Sequence, residues 1–291
     1  MLMGLCGLLL LAACEESVNP ILGTERAYTL YGFINPKVDL QAVRVFEIEG
    51  VLAREKPEPL TGAMALEERS TGQQVAWRDS VVLYANGQYG HVYYAHFRPA
   101  FDADYQITIE SAEGKRTSVA IRTPPLVVPN QEEPVAAQSN VFLPILWQGA
   151  PRLTDAEVVY EVAYRSGSLN AIDTAQVTVD YRGQEQTAEG GWRVRVRLAN
   201  DIGILYSRLF LQPGRDRLKL LAVEMHVLVQ NEAWAPPGGL YDPEVLVEPG
   251  TFSNVENGFG FVGSAYPDSL TWLPPGEVAE LAGFVLDLGE Q

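Results

Sequence analysis

Cysteine is nearly missing from this chain. Only Cys6 and Cys14 occur in 291 residues, both at the extreme N-terminal end. The body of the protein therefore has no internal disulfide, no Cys-based zinc site and no cysteine nucleophile. Histidine is scarce as well, with three residues scattered along the chain. Bases are outnumbered, 21 against 37 acids, for a net charge of −16. Such a body repels a polyanion, which speaks against nucleic acid and against anionic lipid headgroups as partners. No G-x-S-x-G elbow, no H-E-x-x-H pair and no phosphate-binding Walker loop occurs. The sequence thus names no catalytic residue, no cofactor and no metal-ligand set. Long helical periodicity is lacking too, and with it any βαβ alternation.

What is present begins with an apolar run, "MLMGLCGLLLLAAC". Thirteen residues rise only about 20 Å as a helix, too short for a hydrocarbon core of about 30 Å. That length, closing on small residues, suits a secretory signal over residues 1–13. Leu11-Ala12-Ala13-Cys14 looks like a bacterial lipobox, with cleavage before Cys14 and lipid on its thiol. Several acyl chains, at about 0.8 kcal/mol per buried CH₂, would make attachment permanent. Residues 14–26 are polar and aperiodic, the composition of a tether.

From residue 27 the dominant signal is period-2 alternation with turn residues between runs. "LQAVRVFEIEG" sets Val43 and Val45 against Ala42, Arg44 and Phe46. Asn86-Gly87 is the residue pair expected at a hairpin turn. Tyr105, Ile107 and Ile109 share a face, and Val119 and Ile121 return on a partner strand. Pro124-Pro125 stops that strand, and residues 126–140 read as a Pro-rich linker. In the second half Trp192, Val194, Val196 and Leu198 point one way. So do Leu221, Val223, Met225, Val227 and Val229 in the longest strand candidate. "APRLTDAE" suggests a short turn and "PGEVAELAGF" a brief helix from Gly276. Several strands at 8–12-residue spacing predict an all-β fold of two immunoglobulin- or fibronectin-like antiparallel β-sandwich domains, residues 27–125 and 141–291.

Candidate chemistry is thin. Gly258, Gly260 and Gly263 in "NGFGFVG" match the dinucleotide spacing G-x-G-x-x-G. That fingerprint needs a strand before it and a helix after it, and Pro267, Pro274 and Pro275 forbid the helix. The glycines are better read as turn or close-approach positions. His91 and His96, five apart, fall on opposite faces of a strand. His226 and Glu224 share a face about 7 Å apart, a spacing open to a metal pair but better read as the solvated outer face of an antiparallel strand with no third ligand in sight. Asp102-Ala103-Asp104 could offer oxygen ligands to calcium but is better read as an Asp-rich turn entering a strand. Arg193, Arg195 and Arg197 form an outward stripe, the best electrostatic contact patch in the sequence. Tyr93, Tyr94 or Trp234 would serve as an exposed aromatic platform in a glycan-binding module.

"SNVENGFGFVGS", residues 253–264, resembles the closing motif of a Bacteroidota lipoprotein family, the domain-of-unknown-function 4249 family. The overall plan is similar too: a lipobox, a "GFINP…LQAVRV" strand pair, a "GQYG…DADYQITI…TPP" module and a second β-rich half. One departure is the absence of Lys or Arg ahead of the apolar run. The resemblance implies an outer-membrane lipoprotein, encoded as its relatives often are beside a TonB-dependent receptor. Asn254, Asn257, Gly258 and Gly260 carry the motif, and no catalytic residues come with it. The expectation is a lipid-anchored, non-enzymatic binding or accessory protein. A surface adhesin or glycan-binding module is the first alternative and an unrecognised hydrolase the second.

Overall fold

A computed structural model describes residues 26–48, 58–85, 87, 89–137, 140–165, 171–234 and 253–289. The expected signal segment, Cys14 and all of the expected tether except Arg26 lie outside the described residues, as does Asn86 of the expected hairpin turn. Eighteen strands and two helices are described. The first half holds β1 (Tyr28–Ile34), β2 (Leu40–Glu47), β3 (Ala63–Glu68), β4 (Gln74–Ala76), β5 (Arg78–Leu83), β6 (Tyr89–His96), β7 (Asp104–Glu110) and β8 (Arg116–Arg122). Then come β9 (Asn130–Gln131), β10 (Val135–Ala137), β11 (Asn140–Gln148), β12 (Arg152–Arg165), β13 (Ile172–Tyr181), β14 (Glu185–Gln186) and β15 (Gly191–Arg197). Helix α1 (Leu198–Arg208), β16 (Arg217–Gln230), β17 (Val255–Glu256), β18 (Gly258–Trp272) and α2 (Gly276–Ala282) follow.

The fold is an all-β sandwich built around two large hydrophobic cores, with a third, smaller cluster of Tyr31, Trp234, Phe261 and Ala265. An eight-stranded sheet, in the order β13-β12-β16-β18-β1-β2-β6-β5, runs through the molecule. A five-stranded sheet, β17-β8-β7-β3-β4, covers one end of it, and the sheet β10-β11-β15-β14, with β9 beside β11, covers the other. Alternation decides which side chains enter each core, because successive residues of a strand point to opposite faces. Leu30, Val43, Val45, Tyr93, Ile107 and Val119 fill the first core; Leu143, Trp147, Val158, Tyr160, Val194 and Met225 fill the second.

β18 joins the two halves. Its first seven residues pair in parallel with β1, Tyr28↔Gly258 through Ile34↔Ser264. Its last eight pair antiparallel with β16, Ala265↔Gln230 through Trp272↔Val223. This corrects the expected boundaries. Residues 253–264 complete the first sandwich although they come from the far end of the chain, and Val255 and Val262 lie in the first core. Strand pairing across more than 200 residues leaves no periodic trace in sequence. The linker expected at 126–140 also contributes structure: β9 and β10 hydrogen-bond to β11, and Val127 is buried in the second core.

Two local departures have the same physical cause. β12 begins at Arg152, where a short turn is expected, and continues through a bulge at Asp155, which has φ 49°. A second irregularity, where Glu161↔Ala222 gives way to Val162↔Leu220, leaves Leu221 without a register partner. An extra residue in one strand flips the alternation beyond it. Leu218 and Leu220 therefore face the core at that end, and Leu221 does not.

Helix α2 starts at Gly276, as expected, while α1 has no counterpart in the sequence reading. Its apolar Leu198 and Leu205 are buried in the second core, and Asp201 is buried with them.

Candidate functional site

The glycine motif resolves into a corner that stitches both sheets of the first sandwich. β17 pairs with β8, the chain turns at Asn257 (φ 50°), and β18 starts beside β1 in the opposite sheet. Thr117 Oγ1 donates to the Asn257 carbonyl at 2.8 Å. The Asn254 amide donates to the Val262 carbonyl at 2.8 Å and its oxygen accepts from the Val262 N–H at 3.1 Å, which caps an open stretch of β18. A Cβ on Gly258 would meet the Tyr28 carbonyl oxygen at 2.5 Å. On Gly260, at φ 96°, it would meet the Leu30 carbonyl oxygen at 2.2 Å. On Gly263 it would strike the Trp234 ring at 2.4 Å. All three glycines serve close approach of backbone or indole.

The remaining candidates from sequence are brought to separate places. Arg193 forks onto Glu132 at 2.7 and 2.8 Å, and this bond holds the Glu132 carboxyl below its ordinary range. Arg195 reaches Glu185 at 3.1 Å, and the Arg197 guanidinium lies 6.0 Å from the Tyr181 ring. Two of the three stripe residues are thus occupied by carboxylates of this chain. Asp102 and Asp104 both accept from Arg122, at 2.8 and 3.1 Å. They line an open groove of about 850 Å³ between the two halves, with Arg69, Asn231 and Glu232. His226 stands 3.5 Å from Glu224 on an open strand face. No third ligating side chain joins them among the described residues. His91 is buried and His96 exposed, on opposite faces.

Two members of the expected aromatic platform are not exposed. Tyr93 points inward with His91 and Ala95, is 1% exposed, and donates to the Gly62 carbonyl at 2.6 Å. Trp234 is 7% exposed and packs edge-on against Phe261, with ring centroids 5.3 Å apart. Strand alternation excludes Tyr93, and the bare face of Gly263 draws the indole in. Tyr94, one residue further along β6, points to the outer face.

Around Tyr94 the outer face of β5, β6, β2 and β1 forms a site that the sequence alone does not assemble. The register sets Arg78, Tyr94, Ala42 and Phe33 in one row across four strands. Ser80, Val92, Arg44 and Tyr31 form the next. At about 4.8 Å per strand the row spans roughly 14 Å. Tyr94 and Phe33 stand as walls on either side of exposed Ala42. Trp234 braces Phe33 edge-on, with ring centroids 6.1 Å apart. Arg44 Nε donates to the Tyr84 hydroxyl at 3.1 Å, and its guanidinium lies 4.2 Å from the Tyr84 ring and 5.5 Å from that of Phe46. Such stacking holds a guanidinium flat and leaves its other N–H groups free to donate. His96 meets Tyr94 edge-on at 6.2 Å.

The two acids on these strands, Asp79 and Glu47, fall on the opposite alternation from Tyr94 and Arg44, with Glu47 exposed at the end of β2. Asp39, beside Leu40, is paired with Arg98 at 2.7 Å. Among the described residues no carboxylate lies within ion-pair distance of Arg44 or Arg78. Among the described residues the face is aromatic and cationic, with Arg78, Ala42 and Phe33 exposed and Tyr31 buried.

Two buried polar groupings also leave no mark in the sequence. His91 Nδ1 lies 2.9 Å from Asp79, which accepts from the Leu60 N–H at 2.8 Å as well. In the second core Tyr160 donates to Asp201 at 2.5 Å, and Tyr181 donates to the same oxygen. Burial raises the Asp201 carboxyl above its ordinary value, against the opposing pull of the two hydroxyls and of Arg197. The hydroxyls of Tyr160 and Tyr181 are raised as well, chiefly by burial. Their members are 12, 20 and 41 residues apart, so only the folded sheet brings them together.

No protein-family model matches the chain, and no curated protein matches it. Among solved structures, a pullulanase from Anoxybacillus sp. LM18-11 is 9% identical over 68% of this chain, with a TM-score of 0.23. This chain spans only 24% of that enzyme. A cytokine receptor complex is 10% identical, covering 84% of this chain and 94% of its own, at a TM-score of 0.23. Bovine butyrophilin is 10% identical, covering 69% and 91%, at 0.21. At such scores these likenesses say nothing of what the chain binds or does.

Proposed function

We propose that this chain is a lipid-anchored protein of the cell envelope that works by binding, as an accessory or capture component at the outer membrane. The observation that carries the reading is the open aromatic–guanidinium face around Tyr94 and Arg44. Aromatic rings and arginine on a rigid scaffold are the side chains that dominate binding energy at recognition surfaces. The lipobox at Cys14 and the resemblance of residues 253–264 to the Bacteroidota lipoprotein family support the location, and a TonB-dependent receptor is the partner that the resemblance suggests. Mass spectrometry of the mature N-terminus tests the anchor; a chain that starts anywhere but at a lipidated Cys14 overturns it. Co-purification from the outer membrane tests the binding role. Capture of a receptor or an envelope glycan is expected from the native protein and not from Arg44→Gln/Tyr94→Ala; equal capture by both sinks the assignment of this face.

The rings of Tyr94, Tyr84 and Phe33 favour a glycan-binding module as the second reading, since sugar rings present an apolar face that stacks on aromatic surfaces.

A further inference from the structure

We infer that the face around Tyr94 takes a short glycan carrying a sugar acid, a uronic acid or its equivalent; this rests on that face being the binding surface. Three features point to this chemistry. First, Tyr94, Ala42 and Phe33 lie on interior strands, whose backbone N–H and C=O groups are already used in the ladders β5–β6, β6–β2 and β2–β1; only β5, which carries Arg78, is an edge strand. An extended peptide that binds by strand addition needs an open edge, and none is present at Ala42 or Tyr94. A ligand seated over Ala42 is therefore read by side chains alone. Second, exposed Ala42 sits between Tyr94 and Phe33, which stand two strands' width or roughly 10 Å apart, a slot for a flat ring stacked against an aromatic wall. Third, the charge is selective. Arg44 and Arg78 occupy adjacent rows with no described carboxylate in ion-pair range, while Arg193, Arg195 and Arg122 elsewhere are paired with acids of the chain itself.

The roles divide as follows. The Arg44 guanidinium, held flat by Tyr84 and Phe46, donates its remaining N–H groups to the ligand carboxylate. Arg78, one row away beside Tyr94, steers the approach or takes a second carboxylate. Tyr94 and Phe33 stack on the sugar faces. A short acidic oligomer suits the face better than a dense polyanion, because a body of net charge −16 repels charge that extends beyond the slot.

The test is calorimetric titration of the intact folded protein with trigalacturonate, and with an uncharged trisaccharide of the same length. Native protein is expected to bind trigalacturonate, more weakly as salt rises. Arg44→Gln should weaken binding by roughly tenfold to a hundredfold, the worth of one charge-assisted hydrogen-bonded contact. Arg78→Gln, at an exposed position that folding does not need, gives a smaller loss and guards against misfolding of the Arg44 variant. Equal affinity for the neutral sugar, or no change in either arginine variant, overturns the acidic class but leaves a binding face. Absence of glycan binding, with receptor capture still lost in Tyr94→Ala, overturns the inference and spares the proposed function. Loss of neither binding activity in any variant overturns both.

Discussion

Phe210 offers a direct measure of strain. Helix α1 ends in a closure where the Leu211 N–H bonds to the Tyr206 carbonyl at 2.9 Å and the Phe210 N–H to that of Ser207 at 3.3 Å. Helix α2 ends in the same pattern, Phe284 to Ala279 at 3.0 Å and Gly283 to Glu280 at 2.9 Å. The residue between the two bonds must be left-handed, a slot that favours glycine. It is Gly283 at φ 105° in α2 but Phe210 at φ 56° in α1. A side chain there costs roughly 1–2 kcal/mol. The ring recovers nothing by burial, being 93% exposed. Phe210→Gly removes the strain and adds back about 0.5–1 kcal/mol of chain entropy in the unfolded state. The expected net gain is about 0.5–1 kcal/mol. In urea this raises the midpoint of the transition by a few tenths of a molar at unchanged slope, taking a slope near ~3 kcal/mol per molar. Phe210→Ala keeps the Cβ and should gain almost nothing. A glycine variant no more stable than the alanine variant refutes the strain argument.

Further perturbations separate other parts of the structure. Gly260→Ala drives a Cβ against the Leu30 carbonyl and should cost several kcal/mol, read as loss of soluble, folded protein. Gly203→Ala is the contrasting change: that glycine is in α1 with nothing within 4 Å of an added methyl, and the substitution should stabilise by about 0.5–1 kcal/mol in the same denaturant assay. Asp201 carries a raised carboxyl, so its protonated form is favoured by the fold; that contribution is full below the unfolded pKa and is lost as pH rises through the folded value. Asp201→Asn, which stays neutral, should therefore improve relative to the native protein between acid and neutral pH, and a difference that is flat or falls with pH contradicts this. Arg193→Ala breaks a half-buried fork with Glu132 and should cost about 1 kcal/mol, whereas Arg195→Ala, whose partner is half exposed, should be silent in thermal melts.

Much of the fold is legible in the sequence because alternation is a local property. The faces of β2, β7, β8 and β15 follow directly from which residues are apolar, and α2 from its Pro-Gly entry and the Gly283 stop. Alternation alone misplaces Leu221, because the bulge at that residue is a property of two strands together. Helix α1 has a helical period, with Leu198, Ile202, Leu205, Tyr206 and Leu209 packed on the second core, but Leu198 also continues the alternation of β15, which hides where the strand ends. The motif of residues 253–264 is legible as a set of glycines with structural duties, but their partners, the backbones of Tyr28 and Leu30, lie more than 200 positions away. For the same reason Tyr94 can be named from sequence while its site cannot. Arg44, Arg78 and Phe33 join it only across strand pairs whose register no single segment encodes.

The shared strand β18 also decides how the molecule bears a pull. Arg26 leads into β1 at one pole, beside Gly258, and β16 begins at Arg217, beyond the end of β18, at the other. Tension applied between those poles passes from β1 to β18 through seven register positions, then from β18 to β16 through eight. Both pairs run along the line of force, so their hydrogen bonds are loaded together in shear and cannot be unzipped one at a time. Forced unfolding along this line is governed by the rate of its slowest step rather than by equilibrium stability.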